Sequence, residues 1–449
     1  MQNRRRLFIA SCVALVATAV AFSLCTDIMG DLERAFRLKK RLVGEAVGAA
    51  ALGHSAAILI GGAVLDLLGM SSALWLACAA HLVGVTMIIL AQGFWSLLAG
   101  WTCMGIASGL IEATVNPLAA TMYSDRKTHM LNVLHAWWPG GLIIGGLVGY
   151  GLTKALQAAD APRLLDASWQ IKMAVVYLPV VLYAALILGQ SFPKTERVQA
   201  GVSTATMFRQ ALQPLFLVLV VCMFMTASTE LGPARWVGVF VNDIIGIRGI
   251  LFLVYTSGLM FILRFFAGPL AHRLSPVGIM IGGSALSAIG LFCLSYSQTA
   301  LTVFAAATIF GVGVTYFWPT MLGITSERFP KGGALLLGLL GGAGNLFIGL
   351  IMIPAMGSLH DHYTICDLPP ALRDTLVVEG RVDEATVETL AKPDKESVDA
   401  ARKVAACTTF RRVALLPVLL TLIFGAIFLH DLRRGGYRQE FLAPPGEIT

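Results

Sequence analysis

GFWSLLAGWTCMGIASGLIEATVNPLAATM, residues Gly93–Met122, decides the fold class of this chain. The stretch is long enough to cross a bilayer, and Glu112 is its only charged residue. Placing a carboxylate at membrane depth costs roughly 3 kcal/mol on insertion scales. A chain that keeps such a group there usually uses it for protons, ions or a polar solute. A structural acid buried against another helix is the alternative.

The rest of the chain has the composition of an integral membrane protein. Of its 449 residues, 57% are hydrophobic and only 13% are charged, and the mean hydropathy is +0.76. Soluble domains carry about 25% charged residues. Apolar segments of about 20 residues recur, each matching the thickness of the hydrocarbon core, and alternating strand patterns do not. We therefore predict an all-α membrane protein, in which helices satisfy the backbone hydrogen bonds.

Twelve transmembrane helices in two six-helix bundles are predicted from the apolar segments. The predicted spans lie near 7–30, 43–65, 72–91, 95–122, 131–152, 171–190, 214–240, 249–271, 277–297, 300–322, 334–356 and 412–430. A polar stretch, 191–213, separates an N-terminal bundle, 1–190, from a C-terminal bundle, 214–449. Gly62–Gly69 and Gly268–Ser275 are weakly alike at equivalent positions, which indicates a duplicated unit, as in many transporters.

Basic residues predict the orientation, because cytoplasmic loops carry an excess of Lys and Arg. One side collects Arg4–Arg6, Arg126, Lys127, Lys194, Arg197, His272, Arg273, Arg328, Lys331, Arg433 and Arg434. We expect that side to be cytoplasmic, with both termini inside and the chain in the cell inner membrane. Lys39–Arg41 falls on the outer side and is an exception to this rule.

Residues 357–410 form a polar, acidic segment that this topology places outside. Its Asp383–Ala391 stretch has the pattern of a short exposed helix. The segment is a solvated insertion, a lid or a partner surface. Cys366 and Cys407 both lie in it, on the side where disulfides form, and their separation leaves a bridge between them open.

Ser108, Glu112 and Asn116 form a polar stripe on the fourth span. They repeat at i, i+4 and i+8, which places them on one helical face. A cavity-facing proton or substrate site is the functional interpretation of this stripe.

Further polar and aromatic candidates lie on spans five and seven. His135 titrates near neutral pH in its unperturbed state, although such a histidine is often a hydrogen-bonding group. Trp138 belongs to a tryptophan pair that suits either an interfacial belt or sugar stacking. Glu230 and Arg235 flank a Gly-Pro break, so they form an internal ion pair or a pair that substrate opens. Arg264 is expected near the cytoplasmic interface, in a structural role.

These segments together resemble the major facilitator superfamily and, more narrowly, the fucose/glucose–proton symporter family. Leu110–Pro117 (LIEATVNP) is similar to that family's L-E-T-A-A-N-P, and Leu131-Asn132 to its L-N pair. The segments Trp318-Pro319-Thr320, Glu327–Ala334 (ERFPKGGA) and Gly341-Gly342-Ala343 resemble its F-P-T, K-x-G-S and G-G-A motifs. Glu230 matches a seventh-helix glutamate, and Asp27 matches the first-helix aspartate with about a one-residue gap.

The resemblance implies proton-coupled import of a monosaccharide by alternating access. Glu112 would load and release the proton, with Asp27 and Glu230 as further coupling carboxylates. The residues that we expect to bind substrate are Ser108, Asn116, His135, Trp138, Arg235, Trp236, Trp318 and Asn345. We expect a monomer in the lipid bilayer that uses a proton gradient and no cofactor, metal or nucleic acid, and that is not an enzyme.

Two other functions stay open at this stage. The same fold would carry an organic anion or other metabolite if Arg235 supplied the counter-charge. A non-transporting membrane sensor or assembly factor would instead use the acidic segment 357–410.

Overall fold

The architecture is described from a computed structural model. The structure describes residues 3–158, 164, 167–245, 249–378 and 380–442, without the side chains of residues 40, 234–245, 249–253, 378, 381, 384 and 385. Within these ranges, eleven helical segments are long and apolar enough to cross a membrane, and Val254–Arg264 adds a shorter apolar helix. The prediction of an all-α membrane protein is confirmed.

The N-terminal half, residues 3–187, contains spans 1 to 6. Spans 1 to 5 are the helices Arg4–Phe36, Lys40–Leu68, Met70–Ile89, Phe94–Met122 and Lys127–Ala158. Span 6 consists of two helices, Ser168–Ala174 and Tyr177–Ile187. Arg6 of span 1 donates hydrogen bonds to the carbonyl groups of Ala185, Leu186 and Leu188, so it satisfies carbonyls at the end of span 6 that lack intrahelical partners.

The C-terminal half, residues 214–433, contains spans 7 to 12. Two short helices, Glu196–Gln199 and Thr204–Gln210, lie in the linker before it. Span 7 is Pro214–Ile245, and span 8 is Gly249–Arg264 continued by residues 267–274. Ser275, with φ of 63°, turns the chain, and residues 276–294 form span 9. Span 10 consists of the helices Ala300–Val314 and Phe317–Arg328 and is followed by a 3-10 turn, Pro330–Gly332. Span 11 consists of the helix Gly333–Phe347, the π-helix Ile348–Met352 and the helix Ile353–Asp367. Span 12 consists of the helices Lys392–Val413 and Leu415–Arg433.

Segment 357–410, which we predicted to be an external loop, is largely helical, because spans 11 and 12 continue through most of it. Between them, residues 368–391 form what we call the cap. It contains the helices Pro370–Leu376 and Glu384–Thr389 and the paired two-residue strands Val377–Val378 and Arg381–Val382. The cap and the adjoining part of span 12 share a small apolar core, formed by Leu368, Leu376, Val387, Val398 and Ala401.

The segment contains the predicted short helix and both cysteines. The short helix predicted over Asp383–Ala391 is present as Glu384–Thr389, but Val387 within it is buried rather than exposed. Cys366 and Cys407 are both free thiols. We call the side of the molecule that carries the cap the loop face, and the side that carries residues 189–213 and 434–442 the linker face.

Small residues set the close approach of the helices. A Cβ added at Gly145 of span 5 would lie 2.8 Å from Cβ of Ser23 on span 1. One added at Gly338 of span 11 would lie 2.7 Å from the carbonyl oxygen of Ile58 and 2.9 Å from Cα of Gly62, both on span 2. Real Cβ atoms do not approach so closely, so glycine is required where spans 2 and 11 cross between the halves.

Several polar contacts join the halves near the linker face. Thr128 of span 5 donates from its backbone N–H and its hydroxyl to Glu327 Oε1 of span 10, at 3.0 and 2.7 Å. Lys127 Nζ donates to the carbonyl of Ser326, and Asn132 Nδ2 donates to Thr320 Oγ1 at 3.2 Å. Because these bonds lie between the bilayer centre and the linker face, the molecule is closed toward the linker face.

Candidate functional site

Span 4 brings Glu112 into the interior of the bundle. Glu112 is 8% exposed, and its Oε2 is buried without a hydrogen-bond partner in the described part of the chain. The nearest described cation-forming group is His54 of span 2, whose Nε2 lies 3.9 Å from Oε2. A carboxylate oxygen without a partner is costly to bury, so this atom is suited to accept a proton or a ligand donor.

His54 links Glu112 to the other half of the molecule. Its Nε2 lies 3.1 Å from Asn345 Nδ2 on span 11, while 14% of its side chain stays exposed. The site therefore contains groups from both halves. His54 is the one histidine of an apolar span, but nothing else in the sequence singles it out, because its partner Asn345 is 291 positions away.

The polar stripe of span 4 is divided among different partners. Asn116 Oδ1 lies 2.9 Å from His135 Nε2 on span 5, and both side chains are buried. Ser108 donates to the carbonyl of Met104 in its own helix at 3.0 Å. Asn116 and His135 thus form a contact within the N-terminal half, next to Glu112 along span 4.

Arg264 of span 8 occupies the interior rather than the membrane interface, so the prediction of an interfacial arginine is wrong. It is 2% exposed and pairs with Glu230 of span 7 at 3.1 Å. The same guanidinium donates to the carbonyl of Thr315 and, across the boundary between the halves, to the carbonyl of His135, both at 2.7 Å. Arg264 is therefore the buried partner of Glu230 that sequence reasoning sought in Arg235.

Span 10 is interrupted at this ion pair. One helix ends at Val314 and the next begins at Phe317. The carbonyl of Thr315 at the first helix end accepts from Arg264, and the backbone of Trp318 in the first turn of the second helix interacts with the Glu230 carboxylate. A cation at a helix C-terminus and an anion at a helix N-terminus both complement the helix dipole.

Trp318 and Asn345 border the same region. The Trp318 indole would be 3.5 Å from a Cβ placed at Gly344, the residue before Asn345. Nε1 of Trp318 is buried without a hydrogen-bond partner in the described part of the chain.

The remaining predicted site residues lie elsewhere or outside the described side chains. Asp27 pairs with Lys172 Nζ at 2.6 Å, toward the loop-face end of span 1, and 38% of its side chain is exposed. Trp138 packs against Phe22, with ring centroids 6.1 Å apart. Arg235 and Trp236 lie on span 7 outside the described side chains. In the described part of the chain no cluster of His, Cys, Asp and Glu could hold a metal ion.

Comparisons with known proteins identify the fold. A sequence-family model of the Major Facilitator Superfamily matches residues 7–354. A search of curated proteins finds no match. Among solved structures, FucP in the outward conformation, the fucose:proton symporter of E. coli, is similar over 92% of this chain and 98% of its own, with 15% identity and a TM-score of 0.66.

Two other solved structures are similar to the same extent. The proton:xylose symporter XylE is similar over 94% of this chain and 95% of its own, with 13% identity and a TM-score of 0.66. The human organic anion transporter MFSD10 is similar over 94% of this chain and 100% of its own, with 13% identity and a TM-score of 0.63. At these identities the likeness concerns the fold. The family model covers most of the chain, and the solved structures that the chain resembles are transporters rather than enzymes. The chain therefore belongs to the major facilitator superfamily.

Proposed function

We propose that this protein is a proton-coupled secondary transporter that imports a small polar solute, with a monosaccharide as the first candidate. The observation that carries the proposal is the unpartnered Oε2 of Glu112, buried inside the bundle beside His54. Carboxylates that membrane helices keep in the protein interior commonly mark proton or solute pathways.

The coupling follows from the cost of burying charge. An ionised Glu112 loses hydration whenever the surrounding space closes, and a proton on Oε2 or a charged His54 offsets that loss. His54 also contacts Asn345 in the other half, so the charge state of Glu112 affects a contact between the two halves. Proton binding and the opening of one face are then linked, because both depend on the same conformations.

The unpartnered polar atoms of the region favour a solute with hydroxyl groups. Glu112 Oε2 and Glu230 Oε2 are acceptors, while Trp318 Nε1 is a donor. A hydroxyl group both donates and accepts, so a polyol or sugar can satisfy all three atoms. The charge of Arg264 is already balanced by Glu230, which argues against a carboxylate bound at that guanidinium. FucP and XylE support this candidate by fold alone.

We further propose that the linker face is cytoplasmic and that the membrane is the cell inner membrane. The linker face carries Arg4 and Arg5, Lys194 and the basic end of span 12, as expected for a cytoplasmic surface. The protein in this proposal works as a monomer without a cofactor, driven by the proton gradient.

Uptake into proteoliposomes tests the proposal when the outside is made more acidic than the inside, so that protons flow inward. Glu112→Gln should abolish accumulation of the sugar against its gradient while leaving exchange across the membrane measurable, because the variant mimics a permanently protonated carboxyl. Glu45→Gln is the matched control, since Glu45 is an exposed acid paired with Arg41 near the loop face, and it should accumulate sugar normally. Full gradient-driven accumulation by Glu112→Gln would refute the role of Glu112.

The same assay separates a sugar from an organic anion. If the solute were an anion held by Arg235, Arg235→Ala would remove nearly all uptake, whereas uptake of a neutral sugar would change little. Each solute class is offered separately, so transport of carboxylates without sugars would replace the monosaccharide as the substrate.

A further inference from the structure

Arg264 connects two spans of its own half with one span of the other half. Its guanidinium donates to Glu230 of span 7, to the Thr315 carbonyl in the break of span 10, and to the His135 carbonyl of span 5. Only the last of these bonds crosses between the halves. Arg264 and Glu230 are 2% and 7% exposed, so water does little to weaken their attraction.

The charge of Arg264 depends on Glu230 for its balance. The other titratable groups that face the pair in the described part of the chain are His135, whose Nε2 contacts Asn116, and Tyr316, whose hydroxyl donates to the Leu263 carbonyl. Neither supplies a negative charge at neutral pH. Loss of the Glu230 charge would therefore leave a buried guanidinium uncompensated, which is strongly destabilising.

Glu230 also has a free position for a proton. Its Oε1 accepts from Arg264, while Oε2 is buried without a hydrogen-bond partner among the described residues. A proton can therefore bind Oε2 while Oε1 keeps its hydrogen bond from Arg264.

We propose that Arg264 is a positioning residue that transmits the charge state of Glu230 to the linker face. While Glu230 is ionised, Arg264 stays at the His135 carbonyl and the halves remain closed. When Glu230 Oε2 gains a proton, the uncompensated guanidinium leaves the His135 carbonyl for water, and the linker face opens. This inference rests on the proposed transport function and adds to it the residue, Arg264, through which the expected coupling carboxylate Glu230 would act on the linker face.

Thiol labelling at the linker face tests the inference without any solute. Ser326 is 8% exposed and its carbonyl accepts from Lys127 of the other half, so Ser326→Cys reports opening there. The rate of modification by a water-soluble maleimide is corrected by that of the same protein lacking Ser326→Cys, which accounts for the native cysteines. The corrected rate is divided at each pH by the rate for the unfolded protein, because the reactive thiolate becomes scarcer as pH falls. All variants carry Glu112→Gln, so that Glu112 does not contribute to the pH dependence.

Four variants give distinct expectations. The parent should label faster as pH falls. Glu230→Gln should label about tenfold faster than the parent at neutral pH and lose the pH dependence, because the buried cation is uncompensated at every pH. Glu230→Gln with Arg264→Gln should return to the slow rate without pH dependence, because no buried cation remains. Arg264→Lys should be intermediate, since an ammonium cannot reach all three acceptors as the guanidinium fork does.

Two results would overturn the inference, provided the variants are monodisperse after purification. One is a Glu230→Gln protein that labels at the parent rate with the parent pH profile. The other is a double variant that labels as fast as Glu230→Gln, since the charge of Arg264 would then not cause the opening. Failure of sugar uptake would leave the labelling result unchanged, so the two proposals fail separately.

Discussion

Nε1 of Trp318 lies in the protein interior without an acceptor in the described part of the chain. If it donates to the solute, as we propose, Trp318→Phe should leave the melting temperature almost unchanged. The same change should raise the KM for uptake by up to about tenfold, the worth of one hydrogen bond. The measurements are uptake against solute concentration and a thermal melt in detergent.

Trp101 is the matched control for this prediction. It is 3% exposed on span 4, and its Nε1 is likewise buried without a partner among the described residues, but it lies nearer the loop-face end of the span. Trp101→Phe should leave KM unchanged. Equal effects of the two substitutions on KM would mean that Trp318 does not contact the solute.

At the residue scale, sequence reasoning located some groups and missed others for a physical reason. A single carboxylate in an apolar span is noticeable because its transfer into lipid costs free energy. The sequence of Gly93–Met122 is therefore enough to identify Glu112 as a candidate. Arg264 was missed because its role depends on Glu230 and His135, which are 34 and 129 positions away. His54 was missed for the same reason. The roles of Glu112, Asp27 and Glu230 stay predictions.

At the scale of elements, hydropathy predicted where the spans lie but not where they are broken or extended. Span 10 breaks between Val314 and Phe317, where Pro319 lacks the N–H that would bond the Thr315 carbonyl four residues earlier. Arg264 donates to that carbonyl instead, which hydropathy alone does not predict. Span 11 with the preceding 3-10 turn has 38 residues and span 12 has 42, more than a bilayer crossing requires. Their extensions, Ile353–Asp367 and Lys392–Val413, pack on each other and on the cap. Hydropathy detects apolar segments, so it does not predict where a helix continues through polar sequence.

The C-terminal segment 437–440 lies across the closed linker face. Tyr437 donates its hydroxyl to Glu327 Oε2 at 2.6 Å, while Glu327 Oε1 accepts from Thr128 of the other half. The backbone N–H of Glu440 donates to the Glu327 carbonyl, and Gln439 donates to the Ser124 carbonyl of the N-terminal half. The segment therefore stabilises the contact between the halves.

A pH dependence follows from Tyr437. Burial, reinforced by the neighbouring Glu327 carboxylate, raises the pKa of Tyr437 well above its ordinary value. The folded protein thus holds this proton more tightly than the unfolded chain, so the stabilisation is complete below the unfolded pKa of about 10 and is lost as pH rises above it. Tyr437→Phe should lower the melting temperature at neutral pH, because the free energy of unfolding falls by about 1–2 kcal/mol when this hydrogen bond is lost.

The measurement is a series of melting curves from neutral to alkaline pH. The difference between the native protein and Tyr437→Phe should narrow as pH rises past about 10, because only the native protein loses this contribution. Glu440→Ala is the control, since Glu440 reaches Glu327 through its backbone, and it should behave like the native protein. A difference that stayed constant with pH would contradict the assignment.

At the scale of the whole molecule, the described state is closed at the linker face, and transport requires that this face also open. Opening would break the bonds from Lys127, Thr128 and Asn132 to span 10 and separate the glycines at the crossing of spans 2 and 11. The cap takes no part in these contacts. The small apolar core that it shares with span 12 is separate from the main core.

Removal of the cap distinguishes a transporter from a sensor. Replacing residues 368–391 by a short Gly-Ser linker should leave solute uptake intact, because the cap contributes nothing to the site around Glu112. Leu376→Asp, which disrupts the cap core without shortening the chain, should give the same result. Loss of all uptake by a correctly folded deletion variant would contradict this expectation and assign the cap a role in transport. Absence of uptake by the native protein would favour the sensor.

The cap also offers a site for labels that report the motion of the C-terminal half. Among the described residues the cap packs on spans 11 and 12, so it moves with the C-terminal half. An antibody fragment raised against it would break the near-symmetry of the particle for electron microscopy. The same fragment, paired with a dye on span 3 or span 6, would report the rocking of one half against the other in single molecules.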